Sequence, residues 1–214
     1  MYLIRGQHNL DLFNSRFPRV RLCGTIGNFD GLHLGHQAIL NKVKKNAQQN
    51  GAKTIVFFTE PHASEYFANA RNQNIMPPPR ICPWREKLKL LKQNKIDFAF
   101  FLKFNDSLRT MPPEDFIAEI LESINLVTFT VGDDFRFGEN RTGDSNLLKS
   151  WGDKNNVIVE NTETILYKGE RVSSTRIRKE LINNNFDSAE ELLGRPYTFS
   201  GKVVHGQHLG RTID

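Results

Sequence analysis

Two histidines and three glycines are concentrated in residues 27–36, GNFDGLHLGH, directly after an apolar run. His33 and His36 lie three residues apart at the predicted start of a helix, so both imidazoles can face one polyphosphate. There they would donate hydrogen bonds to oxygens as negative charge grows in a transition state. The glycines, Gly27, Gly31 and Gly35, let the backbone approach a ligand closely, and the amides at the helix start favour an anion. The segment therefore predicts a phosphate site.

Two other interpretations of this segment involve no phosphate. The histidines could form half of a zinc site, but zinc needs further Cys or His ligands. The candidates, Cys23, His62 and Cys82, are scattered without paired spacing. The second alternative is a glycine-rich turn with two solvated histidines. The density of glycine, aspartate and histidine after an apolar strand favours the phosphate site.

A second polar segment, residues 131–144 (VGDDFRFGENRTGD), also follows an apolar run. Its aromatic side chains, Phe135 and Phe137, can pack on a flat heterocycle, while Arg136 and Arg141 can neutralise phosphate. This combination suits a nucleotide or a flavin. The alternative is that both phenylalanines are ordinary anchors in the core.

A third segment, residues 171–182 (RVSSTRIRKELI), predicts the start of a helix. Its hydroxyl side chains are of the type that caps a helix start, and they are Ser173, Ser174 and Thr175. Nearby guanidinium groups could complete a second phosphate-binding corner, and they belong to Arg171, Arg176 and Arg178. The alternative is a capped surface helix with solvated arginines.

A fourth candidate is Glu60, Pro61 and His62, directly after the apolar run at residues 53–58. Open α/β sheets bind ligands at the carboxyl ends of their strands, so these residues are placed to touch substrate. The alternative is an ordinary loop in which Pro61 only ends the strand.

Apolar runs and helical stripes alternate along the chain, which predicts an α/β fold with a mostly parallel sheet. The predicted strands are residues 19–26, 53–58, 97–102, 127–132 and 157–160. The predicted helices are residues 35–50, 83–94, 112–123 and 145–154, and one more within 171–182. Residues 1–18 predict an edge strand and a connection. Residues 71–79 contain three consecutive prolines and predict an irregular surface segment.

The 214 residues are enough for one α/β domain with a short second piece. The net charge of +5 is spread along the chain rather than gathered in a tract, so a small polyanionic substrate explains it and nucleic acid is not expected. The two cysteines lie far apart, and no signal peptide or long apolar run occurs. These features predict a cytoplasmic protein without a membrane span.

The spacing HLGH matches the HxGH signature of nucleotidyltransferases, and further motifs narrow the match. In order, the chain carries GNFDGLHLGH, EPH, REKLKLL, VGDDFRFGENRTGD and RVSSTRIR. In these motifs it resembles the bacterial FAD synthetase family, bifunctional riboflavin kinases and FMN adenylyltransferases, over nearly all of residues 3–214. The resemblance implies a Rossmann-like nucleotidyltransferase fold. Other HxGH transferases lack the DFRFG loop.

The resemblance implies that AMP passes from ATP to FMN, giving FAD and pyrophosphate, with Mg²⁺ held mainly by phosphates. Catalytic roles are implied for Asn28, His33, His36 and Arg171. ATP binding is implied for Gly27, Phe29, Asp30, Gly31, Gly35, Ser173, Ser174, Thr175 and Arg178. FMN binding is implied for Glu60, Pro61, His62, Asp134, Phe135, Arg136 and Phe137.

The same resemblance divides the chain into an adenylyltransferase domain, residues 1–193, and residues 194–214, similar to the linker and opening strand of a riboflavin kinase barrel. One strand cannot close a barrel, so riboflavin kinase activity is not expected. The apolar residues of this tail, Phe199, Val203 and Val204, should be exposed. Two alternatives remain, a different HxGH adenylyl or cytidylyl transfer and a non-catalytic flavin-binding remnant.

Overall fold

A six-stranded, all-parallel sheet forms the centre of the protein, in the order β1-β4-β3-β2-β5-β6. The structure is a computed structural model that describes residues 1–70 and 76–204. The strands are β1 Tyr2–Arg5, β2 Leu22–Ile26, β3 Lys53–Glu60, β4 Phe98–Lys103, β5 Leu126–Gly132 and β6 Ile158–Thr162. The predicted α/β class, the parallel sheet and the edge position of the first strand are confirmed.

Helices connect the strands and cover both faces of the sheet. They are α1 Leu10–Arg16, α2 Leu34–Asn50, α3 Ala63–Ala70, α4 Trp84–Gln93, α5 Asp106–Arg109, α6 Pro113–Phe116, α7 Ser145–Asn155, α8 Ser174–Ile182 and α9 Phe186–Leu193. The helix α6 continues as a π-helical turn, Ile117–Leu121. A small antiparallel hairpin, β7 Leu166–Tyr167 and β8 Glu170–Arg171, precedes α8. Within the described residues, none of the helices has the length and apolar character needed to cross a bilayer.

The core has apolar layers on both sides of the sheet. Successive residues of β3 alternate between them, with Ile55 and Phe57 in one cluster and Val56 and Phe58 in the other. All four side chains are fully buried. A strand buried on both faces has a continuous apolar sequence, and for that reason the strands were recognisable in the sequence.

Four helices were not predicted, and one of them is the single-turn α5. Residues 1–18 hold α1 as well as β1, because Leu10 and Phe13, three residues apart, bury one face of that helix. Residues 63–70, for which no helix was predicted, form α3. The helix α9 was not predicted, and it ends at Gly194 in the left-handed conformation. Residues 76–79 have no regular structure, as predicted, and residues 71–75 lie outside the described residues.

The sheet order reverses at β2, which bonds to β3 on one side and to β5 on the other. The chain builds outward from β2 to β3 and β4, then returns to add β5 and β6. Ligands of open α/β sheets bind in the crevice outside the strand ends at such a reversal. The histidine segment follows β2 and the DFRFG segment follows β5, so both reach this crevice.

The described part of the tail, residues 195–204, has no regular secondary structure. Its apolar side chains are 83% exposed at Phe199, 97% at Val203 and 72% at Val204. This agrees with the expected exposure of these residues. Residues 205–214 lie outside the described residues, so the predicted barrel strand and domain division stay predictions.

Candidate active site

A cleft of about 890 Å³ opens at the carboxyl ends of the central strands. Ligand pockets typically measure about 300–1,000 Å³, so this cleft has the size of a substrate site. Its walls come from the segments after β2, β3, β5 and β6 and from the start of α8. Three separate sequence segments that each predicted phosphate or nucleotide binding therefore meet in one place.

The two histidines of this cleft stack on each other at the start of α2. The ring centroids of His33 and His36 are 3.6 Å apart, with 19° between the ring planes. The backbone N–H of His36 donates to Nδ1 of His33 at 3.4 Å, so His33 caps the helix. The ring of Phe29 lies 5.1 Å from that of His36 and is fully buried.

Both histidines are neutral near pH 7. Burial lowers the pKa of His33 to about 4, an effect that Asp30 partly offsets and nearby arginines reinforce. Burial also lowers the pKa of His36 well below its ordinary value, and the positive charges of Lys87 and of His33, when His33 is protonated, act in the same direction. Because Nδ1 of His33 accepts a hydrogen bond, its proton lies on Nε2. A neutral imidazole can donate this N–H to a phosphate oxygen without carrying charge.

The loop between β2 and α2 has an unusual backbone. Phe29 and Leu32 have positive φ angles of 47° and 45°, and Gly31 between them has φ 76°. Each non-glycine residue in this region costs about 1–3 kcal/mol unless its surroundings hold it in place. At Gly31, a Cβ would lie 2.7 Å from the side chain of Ile81, so only glycine fits this close contact.

Asp30 and Arg178, both predicted to bind ATP, bind each other. Nη2 of Arg178 donates to Oδ2 of Asp30 at 2.6 Å, and the side chains are only 17% and 6% exposed. The Asp30 carboxylate also accepts from the backbone N–H groups of Ile81 at 3.1 Å and Cys82 at 3.2 Å. The pair therefore ties the histidine loop to α8, although both residues also line the cleft.

The hydroxyl groups at the start of α8 have different partners. Oγ of Ser173 accepts from the backbone N–H of Arg176 at 3.2 Å, which is the predicted cap. Oγ of Ser174 donates to the carbonyl of Asp30 at 3.1 Å. Thr175 is exposed and lines the cleft beside them.

Arg171 lies on the rim of the cleft. Its Nη2 lies 2.8 Å from Oδ2 of Asp134 and 3.7 Å from Oδ1 of Asp133, and its side chain is about half exposed. The ion pair joins the hairpin to the loop after β5. A guanidinium at this rim can exchange a carboxylate for a phosphate.

Three of the predicted substrate ligands lie outside the lining of the cleft, and their roles stay predictions. The carboxylate of Glu60 binds Arg80, with distances of 2.6 and 3.0 Å to its guanidinium nitrogens. Pro61 follows it at the end of β3, and neither residue lines the cleft. Gly31 packs against Ile81 instead.

The family of this chain follows from comparison with known proteins. The family model for FAD synthetase matches residues 20–176. The chain belongs to the FAD synthetase family. The curated bifunctional riboflavin kinase/FMN adenylyltransferase of Buchnera aphidicola subsp. Schizaphis graminum is 40% identical over an alignment of 215 residues, and that of Escherichia coli K12 is 39% identical over 214. Both alignments cover all of this chain and 66% of the relative.

A solved structure described as a macrolide-efflux protein from Streptococcus pneumoniae also resembles this chain. The TM-score is 0.76 at 22% identity, over 92% of this chain and 72% of the other. At that identity the likeness shows a shared fold alone. The FAD synthetase family assignment therefore rests on the family model and the curated relatives.

Other predicted ligands of this FAD synthetase family member do line the cleft. Phe135 is half-buried, and Phe137 is buried in the main core and stacks on Phe135 with centroids 5.6 Å apart. The alternative interpretation, in which the phenylalanines anchor the core, therefore applies to Phe137. Nδ1 of His62 contacts the hydroxyl and the backbone N–H of Ser64, at 2.7 and 3.2 Å. Burial lowers the pKa of His62.

Some residues that line the cleft were not predicted from the sequence. Residues 162–165 line it because β6 ends beside β5, and the rule about strand ends would have found them. Others come from neighbouring elements, and they include Ile39, Thr59, Phe67, Phe104 and Arg109. Among the described residues, no group of three or more His, Cys, Asp or Glu is arranged to hold a metal ion.

Proposed function

We propose that this chain is an FMN adenylyltransferase, which transfers AMP from ATP to FMN and releases FAD and pyrophosphate. The observation that carries the proposal is the stacked pair of neutral histidines in a cleft formed by the three motif segments. The family of the chain and the FMN adenylyltransferase activity for which the curated relatives are named support the same reaction.

In the proposed reaction, a phosphate oxygen of FMN attacks the α-phosphorus of ATP in line, and the bond to the bridging oxygen of pyrophosphate breaks. The phosphate monoester is already an anion, so no side chain has to remove a proton from it. The enzyme mainly positions the two substrates and stabilises charge. No covalent intermediate with the protein is required.

The histidines would act as uncharged donors to the phosphates. Their N–H groups would stabilise charge as it develops on the transferring and leaving oxygens. Asn28 lines the cleft beside them. Arg171 and Thr175 would contact the triphosphate from the opposite rim, and Phe135 and Arg136 would face the flavin or the nucleotide.

Mg²⁺ is part of the proposal and would be bound mainly by phosphate oxygens, as this ion usually is with nucleotides. When bound, it supplies neutralisation of the triphosphate charge. The described residues offer single carboxylates at the cleft, such as Asp133 and Asp134, rather than a dedicated cluster. We also infer a cytoplasmic location, where ATP and FMN are available, and no nucleic-acid partner.

The test is incubation of the purified chain with ATP, Mg²⁺ and either FMN or riboflavin, with products separated by chromatography. FAD should form from FMN, and riboflavin should remain unphosphorylated. Absence of FAD with FMN, under conditions in which the chain is folded and binds both substrates, would contradict the proposal. Flavin binding without pyrophosphate release would favour a non-catalytic binding protein.

A further inference from the structure

Four backbone carbonyls of the loop between β2 and α2 are held by side chains from distant parts of the chain. Nζ of Lys87 in α4 donates to the carbonyl of Asn28 at 2.7 Å. Ser174 donates to the carbonyl of Asp30. Nη2 of Arg195, just after α9, donates to the carbonyl of Gly31 at 2.7 Å. Nη1 of Arg195 and the side-chain amide of Gln37 both donate to the carbonyl of Leu32, at 3.3 and 3.0 Å.

These contacts coincide with the left-handed backbone of the loop. A loop with positive φ at Phe29, Gly31 and Leu32 keeps its shape only if its surroundings hold it in place. In a trans peptide, the N–H that follows a carbonyl points in the opposite direction. When a side chain binds one of these carbonyls, the N–H group of the following residue therefore points away from that side chain.

Lys87 is an unusual residue to bury. It is 4% exposed, and its ammonium group lies 4.8 Å from the ring centre of Phe58. Burial lowers the pKa of Lys87, whereas Asp30 raises it. In the described part of the chain, neither Lys87 nor Arg195 has a carboxylate within salt-bridge distance.

A cation that is removed from water without a carboxylate partner lowers the stability of the fold, so the groups that accept its hydrogen bonds indicate its role. Lys87 is buried and Arg195 is half-buried, and both donate to carbonyls of one loop, while Nη1 of Arg195 also reaches the carbonyl of Leu193. Lys87 and Arg195 also place positive charge next to a loop that borders the cleft, and this charge favours an anion in the cleft.

We propose that Lys87 and Arg195 are positioning residues that hold residues 28–32 in the conformation that binds the phosphates of the nucleotide. The identity of the anion rests on the proposed function. Arg195 follows the last helix and lies beyond the residues matched by the family model. The segment after α9 is thus part of the site's support.

The test is calorimetric titration of Lys87→Met and Arg195→Met with inorganic pyrophosphate and, separately, with FMN. Each variant should weaken pyrophosphate binding about 10-fold or more through the lost charge-assisted hydrogen bond, and leave FMN binding within about 2-fold. The KM for ATP should rise while the KM for FMN stays constant. Arg195→Lys, which keeps one donor, should fall between Arg195→Met and the wild type.

The matched controls are Lys92→Met, on the exposed face of α4, and Lys202→Met in the exposed tail. Both should bind pyrophosphate as the wild type does. Unchanged pyrophosphate affinity in Lys87→Met and Arg195→Met would overturn the proposal, as would an equal loss of pyrophosphate and FMN binding together with a lower melting temperature. If Lys87→Met does not fold, the half-buried Arg195 variants decide the question. Loss of pyrophosphate binding in a chain that makes no FAD would support the loop assignment while the proposed function failed.

Discussion

The substitution Asp30→Asn tests whether this residue supports the fold or contacts ATP. It keeps the size of the side chain but removes the negative charge that faces the guanidinium of Arg178 at 2.6 Å. It also replaces one of the two oxygens that accept the backbone N–H groups of Ile81 and Cys82 with an amide donor. The result is a nearly buried arginine without its carboxylate partner, although its Nε still donates to the carbonyl of Pro79.

The expected magnitude follows from the burial of the pair. With the Asp30 and Arg178 side chains 6% and 17% exposed, solvent screens their interaction weakly, and removing one partner of a buried pair costs about 3–5 kcal/mol. That is a large part of the about 5–15 kcal/mol that stabilises a typical domain. Asp30→Asn should therefore lower the free energy of unfolding strongly, at any ATP concentration.

The assay is urea unfolding without nucleotide, followed by fluorescence of Trp84 and Trp151. Asp153→Asn, at an exposed position on α7, is the matched control and should change stability by no more than about 0.5 kcal/mol. The double variant with Arg178→Met should lose less than the sum of the single changes, because it leaves no unpaired charge. A loss below about 1 kcal/mol in Asp30→Asn, accompanied by weaker ATP binding, would refute this reasoning and assign the carboxylate to the nucleotide.

Three further predictions concern the cleft. His33→Ala and His36→Ala should each lower the rate of FAD formation about 100-fold or more while leaving FMN binding nearly unchanged, because the lost donors act on transition-state charge; a variant with near-normal turnover would remove that histidine from the mechanism. Arg171→Ala should weaken ATP by about 1.5–3 kcal/mol and FMN less, measured by titration, whereas the same loss in Asp134→Asn would attribute the effect to the broken Arg171–Asp134 pair. The pKa of His33 is about 4 in the folded protein and about 6.5 in the unfolded chain. Between these pH values the unfolded chain therefore binds one more proton than the folded protein. As the pH falls from 7 to 5, His33 should lower the free energy of unfolding by about 2 kcal/mol. His33→Gln should lack this dependence, and an identical pH profile in both proteins would contradict the pKa shift.

Much of the fold was readable because the strands are buried on both faces. A continuous apolar run as short as residues 53–58 is typical of a central parallel strand, and the strand ends then located the motif segments at one edge of the sheet. The short helices were harder to predict from the sequence. The apolar stripe of α1 consists of Leu10 and Phe13 only, and Pro61 suggested a loop where His62 and Glu65 start α3.

The sequence predicted that the motif segments meet at one edge of the sheet, but it did not predict most of the contacts between their side chains. Nothing in the local sequence indicates that Asp30 pairs with Arg178, since 148 positions separate them. Glu60 was placed correctly at a strand end, yet Arg80, provided by a distant segment, binds its carboxylate away from the cleft. The burial of Lys87 could have been predicted, because Lys87 lies three and four residues before the buried Leu90 and Leu91 and so on the same face of the helix.

The central claim is transfer of the adenylyl group of ATP to FMN, and radiolabelled ATP tests it most directly. The purified chain is incubated with FMN, Mg²⁺ and ATP labelled either at the α-phosphate or at the γ-phosphate. The proposed function predicts that the α label appears in FAD and the γ label in pyrophosphate, with both signals greatly reduced in His36→Ala. Label from the γ-phosphate in a flavin product, or no labelled flavin at all from folded protein that binds both substrates, would contradict it.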